Sequence, residues 1–348
     1  MPSRLPRLAV LATLLAVLIG SILWTQRHRS IAWVLRLDPE FRAARHITDP
    51  SQAGPDWLAQ GEYRGEKAPF GLQVVARGAG RFEARLWRGG LPGEGAQRKG
   101  SHVLLGERRQ DAIHLADGEG RKVRLAGGTA RLTDLDGRTW TLERVERSSP
   151  TLGAPPPPDA IVLFDGSGPG RIEGVVAEEG SLEQGAASLD LFGDHRVHLE
   201  FRTPFEPELE GQKRGNSGVY LQGRYEIQIL DSFGSEGSED ECGALYKQRR
   251  PDQNMALPPL AWQTYDMEFT AADFDADGRR ISPARLTVRH NGVLIHEDVA
   301  IVGPTGMGAE ESAAPGRLFL QDHANPVRFR NIWVVPTGAA EKRPEVQH

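Results

Sequence analysis

The stretch Asn216-Ser-Gly-Val-Tyr-Leu-Gln-Gly-Arg-Tyr-Glu-Ile-Gln-Ile-Leu-Asp-Ser232 decides the fold. Its polar and apolar residues alternate, the period of a strand with one buried face, and Gly223 breaks the alternation midway, as a hairpin turn does. Two registers can be written for that hairpin. A two-residue turn sets Glu226 opposite Leu221 and mixes polar with apolar side chains. A three-residue loop of Gln222, Gly223 and Arg224 instead pairs Leu221 with Tyr225. This second register sorts the faces cleanly: Val219, Leu221, Tyr225, Ile227 and Ile229 point to a core, and Tyr220, Glu226 and Gln228 point away from it. A face that met only water would carry Lys, Thr and Glu. An aromatic ring beside an amide suits sugar rings and hydroxyls.

Working outward, similar short runs occur at Ile161–Phe164, Val197–Phe201, Tyr265–Phe269, Arg285–His290, Val293–Val299, Arg317–Gln321 and Val327–Val334. With the central hairpin they predict an all-β sandwich or jelly roll over residues 160–336. Asn291-Gly292 between two such runs signals a type I′ hairpin and places Val288 opposite Ile295. A second polar cluster, Gln321-Asp-His-Ala-Asn-Pro-Val-Arg-Phe-Arg-Asn331, follows one of these runs. His323 there could act as a base near neutral pH, or could equally be a loop histidine with satisfied hydrogen bonds.

Upstream, residues 51–147 carry further short runs broken by glycine, which predict a small antiparallel β domain with a scaffold or binding role. Ser148-Ser-Pro-Thr-Leu-Gly-Ala-Pro-Pro-Pro-Pro158 follows, and consecutive prolines predict a stiff extended linker over 148–159. The tail 337–348 is expected to be loose. At the other end, Arg4 and Arg7 precede an uncharged run, Leu8–Trp24, that is apolar except for Thr13 and Ser21. It is short for a bilayer span, yet no small-x-small cleavage site follows, so residues 1–30 read as an uncleaved signal anchor. That implies a cell-envelope protein held at the inner membrane with its domains exported, or a secreted one if the signal is cut.

The 40 Gly and 24 Pro of the 348 residues fit many short strands and turns. A net charge of −5, with both signs interspersed, leaves no basic face to neutralise a run of phosphates, which argues against nucleic acid as a partner. Cys242, the sole cysteine, excludes an intrachain disulfide and a Cys-rich zinc site and has no sequence-adjacent base, so it reads as a packing residue. Asp273-Phe-Asp-Ala-Asp-Gly278 starts like a calcium loop. Ala284 stands where an EF-hand supplies its bidentate Glu, so a polar turn is expected. Trp262, opening a strand, reads as a core residue rather than a sugar platform.

The C-terminal half resembles the 3-keto-disaccharide hydrolase family, whose members adopt a concanavalin A-like jelly roll. The resemblance is carried by Ile161-Val-Leu-Phe-Asp-Gly166, His198-Leu-Glu-Phe-Arg202, Gly215 through Ser232, Trp262-Gln-Thr-Tyr-Asp266, His290-Asn-Gly-Val293, Leu320-Gln-Asp-His323 and Asn325-Pro-Val-Arg-Phe-Arg-Asn-Ile-Trp333. It implies a carbohydrate substrate, cleavage of 3-keto-glycosides, and a partner dehydrogenase that oxidises the sugar beforehand. The fold is shared with glycosidases whose catalytic strand reads Glu-x-Asp-x-x-Glu. Here that spacing holds Glu226, Gln228 and Asp231, so the middle acid is an amide and the last side chain is shorter, which disfavours a direct displacement between closely spaced carboxyls. A 3-keto group acidifies the proton on C2, and its loss can expel the oxygen at C1. On this reading Glu226 or His323 is the base, Asp231 or a water the acid, and Tyr220, Gln222, Gln228, Gln321 and Arg330 hold the sugar. No cofactor is expected. A divalent metal on the keto oxygen is compatible with the scheme, but no ligand spacing demands one. A lectin-like, non-catalytic envelope protein is the chief alternative, and a structural envelope protein that presents the jelly roll to a partner is a third reading.

Overall fold

The computed structural model describes residues 30–168 and 170–338. The apolar run Leu8–Trp24 and most of the tail fall outside them. Among the described residues, no helix is long and apolar enough to cross a membrane.

Residues 61–145 close into an eight-stranded antiparallel barrel, from Gly61–Arg64 to Thr139–Val145, the last strand pairing back onto the first. Alternation within each strand sends Tyr63, Leu72, Val74, Phe82, Leu104, Leu115, Val123, Leu132 and Leu142 inward, where they are buried together. Closure removes the exposed edges that an open sheet of this size would present.

The C-terminal half is a sandwich of a five-stranded and a seven-stranded sheet, all pairs antiparallel. The central hairpin has the three-residue loop: Leu221 faces Tyr225, Tyr220 faces Glu226, and Gly218 faces Gln228. The positive φ of Gln222 (54°) and Gly223 (67°) makes that turn. Val219, Leu221, Tyr225, Ile227 and Ile229 lie in the core between the sheets, as the alternation requires, against Phe201, Tyr265, Met267 and Phe329 of the larger sheet.

The Asn291-Gly292 turn forms with positive φ at both residues, but the register beyond it departs from expectation. A bulge pairs Val288 with His296 instead of Ile295. The extra residue lets both Ile295 and His296 be buried, with His296 Nε2 hydrogen-bonded to the Gly243 carbonyl, 2.7 Å away. A strict two-residue alternation would expose one of them.

The proline-rich segment is docked, not free. Ser149 and Thr151 hydrogen-bond Thr264 (2.6 and 2.9 Å), Thr151 donates to Asp266 (2.7 Å), and the Gly153 amide donates to Glu200 (2.6 Å), so the segment crosses the outer face of the larger sheet. Barrel and sandwich also pack directly. Phe205 and Leu260 enter the barrel's core cluster, and Arg85 and Arg98 donate to the carbonyls of Gly234 and Glu236 at 2.7 and 2.8 Å.

Candidate active site

The non-core face of the central hairpin is the floor of a cavity of about 80 Å³ lined by Tyr220, Glu226, Gln228, Gln212, Asn216, Tyr246, Gly306, Met307, Gln321, His323 and Ile31. Three strands set the floor. Tyr220 and Glu226 sit side by side because their strands pair there, and the Tyr220 strand also pairs with Phe319–Leu320, which delivers Gln321 and then His323 to the same place. Gly218 leaves room for the carboxylate, since a Cβ there would lie 2.3 Å from Glu226 Oε1.

Tyr220 donates its hydroxyl proton to Glu226 Oε2 at 2.7 Å. Loop 303–311 is tied across the carboxyl: Thr305 Oγ1 accepts from the Glu226 amide at 2.6 Å, and the amides of Thr305 and Ala309 donate to the carbonyls of Arg224 and Gly223. Glu226 is thereby only 2% exposed, without a cation beside it. Burial pushes its carboxyl up to about 8, with the Tyr220 hydrogen bond opposing the shift. The group therefore holds its proton at neutral pH. His323 moves the other way: burial lowers it below the ordinary imidazole value, so the ring is neutral at pH 7. Its Nδ1 is buried without a hydrogen-bond partner among the described residues. Burial likewise raises Tyr220 well above its ordinary value, so the phenol stays a donor.

Around this pair lie amides. Gln228 Nε2 donates to Gln212 Oε1 at 3.2 Å and Asn216 Nδ2 to the Gln212 carbonyl at 2.8 Å, while Asn216 Oδ1 is buried with no hydrogen bond among the described residues. An unsatisfied buried acceptor is costly unless something arrives to donate to it. A sugar hydroxyl would.

Three residues expected at the site lie elsewhere. Asp231 follows the end of its strand, and its Oδ2 takes a 2.6 Å hydrogen bond from Arg214 Nε with both side chains buried, an ion pair at the seam with the barrel, where Arg214 also reaches the Ala76 carbonyl. It does not line the cavity. Gln222 sits in the hairpin turn, donating to the Phe192 carbonyl and accepting from Arg224. Arg330 is on the larger sheet, 2.6 Å from Glu200 and 4.1 Å over the Trp262 ring. Trp262 is consequently a platform for Arg330 and Arg202 rather than core. Residues 321 and 330 are separated by the turn at 322–325 and the crossing to the other sheet, so a polar cluster continuous in sequence divides between two faces.

Sequence reasoning does not single out Asn216, Gln212, Tyr246, Met307 or Ile31. Asn216 opens the decisive stretch and its polarity is a usable signal, whereas Tyr246, Met307 and Ile31 arrive from distant segments and carry none. Cys242 is buried, 3.3 Å from the Tyr265 hydroxyl, and its thiol is pushed up to about 11 by burial, as an inert packing residue should be. Asp275 caps the amides of Asp277 and Arg279, making the acidic stretch a polar turn. Among the described residues, His102, Asp117 and Glu119 could approach a common metal ion. Arg121 already pairs with both acids at 2.8 and 2.7 Å, and the set belongs to the barrel, not to the cavity.

One amide-lined cavity on a β-sandwich thus brings together a protonated carboxyl and a neutral imidazole, a proton donor and a proton acceptor. Residues 136–335 match the family of 3-keto-alpha-glucoside-1,2-lyase-like domains, and the chain belongs to that family. It is, in general terms, a glycoside-acting enzyme. Similar solved structures include a candidate glycosyl hydrolase from Parabacteroides distasonis, 34% identical, covering 52% of this chain and 85% of its own at a TM-score of 0.47. A second from the same organism is 15% identical, covering 52% and 94% at a TM-score of 0.37. No curated protein matches the chain.

Proposed function

We propose that the chain cleaves 3-keto-glycosides by elimination across C1 and C2 of the keto sugar. His323, neutral at working pH, removes the proton from C2, which the neighbouring C3 carbonyl has made acidic. The electron pair forms the C1–C2 double bond, the C1–O bond breaks, and the departing oxygen takes the proton of Glu226. Addition of water to the unsaturated product would then complete a net hydrolysis. Tyr220, Gln228, Gln321 and Asn216 hold the sugar hydroxyls. The observation that carries this reading is that burial drives Glu226 and His323 in opposite directions, leaving an acid and a base in one cavity at neutral pH. On this reading Glu226 is the acid, while Asp231 pairs with Arg214 outside the cavity.

The chemistry requires a dehydrogenase that supplies the 3-keto sugar. The apolar run Leu8–Trp24 supports placement in the cell envelope, anchored at the inner membrane. The test incubates the full chain with a 3-keto-glycoside and with its unoxidised parent and identifies products by mass spectrometry. Cleavage of the keto sugar alone, abolished in Glu226→Gln and His323→Ala, is expected. Binding of sugars without cleavage of either would replace this reading with the lectin-like one.

A further inference from the structure

A cavity of about 80 Å³ is well below the roughly 300–1,000 Å³ of sites that enclose small molecules. A glycoside is therefore enclosed there only if part of the lining gives way. The floor cannot, since its strands are held in register by their ladder pairing. Loop 303–311 is fastened to the hairpin by the Thr305 and Ala309 amides, and Arg224 reaches the carbonyls of Glu310 and Ala314 and the Ser312 hydroxyl. Gln212 donates to the Asp240 carbonyl at 2.8 Å, Asn216 to the Gln212 carbonyl at 2.8 Å, and the Tyr246 amide to the Glu226 carbonyl at 3.1 Å, so these lining residues are tied in as well. Ile31, on helical residues 30–37, lines the cavity from outside these elements.

That helix leaves large apolar side chains in solvent. Ala32 is its one fully buried side chain, while Trp33, Val34 and Leu37 are 62%, 60% and 54% exposed. The ion pairs of Arg36 and Asp38 lie at the surface. Arg36 pairs with Asp322 at 3.2 Å, next to His323, and just beyond the helix Asp38 pairs with Lys213 at 3.0 Å. Screened, partly exposed ion pairs of this kind hold weakly. Past them the chain is fixed: Ile47 bridges Phe205, and His46 meets the buried Glu206 at 2.5 Å. Asp38 thus lies between this exposed helix and the fixed segment that follows.

Resting on the proposed reaction, we infer that helix 30–37 is a movable wall of the active site and that Ile31 sets how large a leaving group the site accepts. The segment that follows the apolar N-terminal run thereby becomes a determinant of specificity.

The experiment compares the wild-type chain with Ile31→Ala and Arg36→Glu, the second placing like charge against Asp322. Two quantities are read: the ratio of kcat/KM for a 3-keto-disaccharide over a methyl 3-keto-glycoside, and the rate at which diethyl pyrocarbonate modifies His323, followed by peptide mass spectrometry. A rise of about fivefold or more in both is expected, with the thermal midpoint unchanged. An unchanged His323 rate overturns the movable wall. Faster labelling with an unchanged ratio overturns the role of Ile31 in selection. If the wild type cleaves neither sugar, the proposed reaction fails, while the labelling rates still decide whether the helix is a wall that moves.

Discussion

Replacing Glu226 by glutamine keeps the shape of the side chain and removes its titration, so it separates two consequences of the same buried carboxyl. The first is kinetic. A positioned general acid contributes about 10²–10⁴-fold, and kcat on a 3-keto-glycoside at pH 7 should fall by that factor while the sugar still binds. The second is thermodynamic. The carboxyl's value in the folded chain, about 8, lies above its ordinary value of 4.5. Between those limits the folded state keeps a proton that the unfolded state has released. The associated stability is therefore complete at low pH and is lost as pH rises through the window, by about 1.4 kcal/mol per unit and on the order of 5 kcal/mol in all. The amide introduced by Glu226→Gln has no proton to lose. Urea unfolding of both proteins from pH 4.5 to 8.5 should show wild-type stability declining relative to the variant, with a gap of several kcal/mol opening by pH 8. Parallel curves would mean that the carboxyl is not held protonated, and more than a tenth of the wild-type kcat in the variant would remove Glu226 from the chemistry.

The pH profile of kcat/KM should be bell-shaped, with an acid limb below the ordinary imidazole value, where His323 gains its proton, and an alkaline limb near pH 8, where Glu226 loses one. A rate still climbing past pH 9 would reverse the assignment of acid and base. Gly218→Ala puts a methyl 2.3 Å from Glu226 Oε1, so the carboxyl must shift and kcat should drop about tenfold or more while circular dichroism stays native. Wild-type turnover in that variant would contradict the tight seat described for Glu226. Asp231→Ala strands the buried Arg214 guanidinium, and chemical denaturation should report a loss of roughly 3–5 kcal/mol with kcat per folded molecule nearly unchanged. A selective loss of kcat would restore Asp231 to the catalytic group.

Much of the fold was legible because burial imposes a period. A strand with one buried face must alternate, so the apolar set Val219, Leu221, Tyr225, Ile227 and Ile229 identified both the hairpin and its register. The same logic placed Tyr220, Glu226 and Gln228 together. It failed at Val288, where a bulge inserts a residue that periodicity does not foresee, and it underestimated residues 148–159, whose prolines favour an extended chain but say nothing of what that chain lies against. Barrel closure was likewise hidden, since the pairing of the Gly61–Arg64 strand with Thr139–Val145 joins residues far apart in sequence.

The sequence by itself determined the all-β class, the face that carries the polar groups, and the chemical types gathered there, because each follows from neighbours along one or two strands. Only the tertiary structure decided the charge states and partners. Glu226 holds its proton because a distant loop and Tyr220 bury it, and His323 is neutral because burial disfavours its charge. Asp231 is structural because Arg214 reaches it first. Ile31 enters the site from the far N-terminal side of the barrel sequence. Charge state, partner and access depend on what packs against a side chain from elsewhere in the chain, and local sequence does not contain that information.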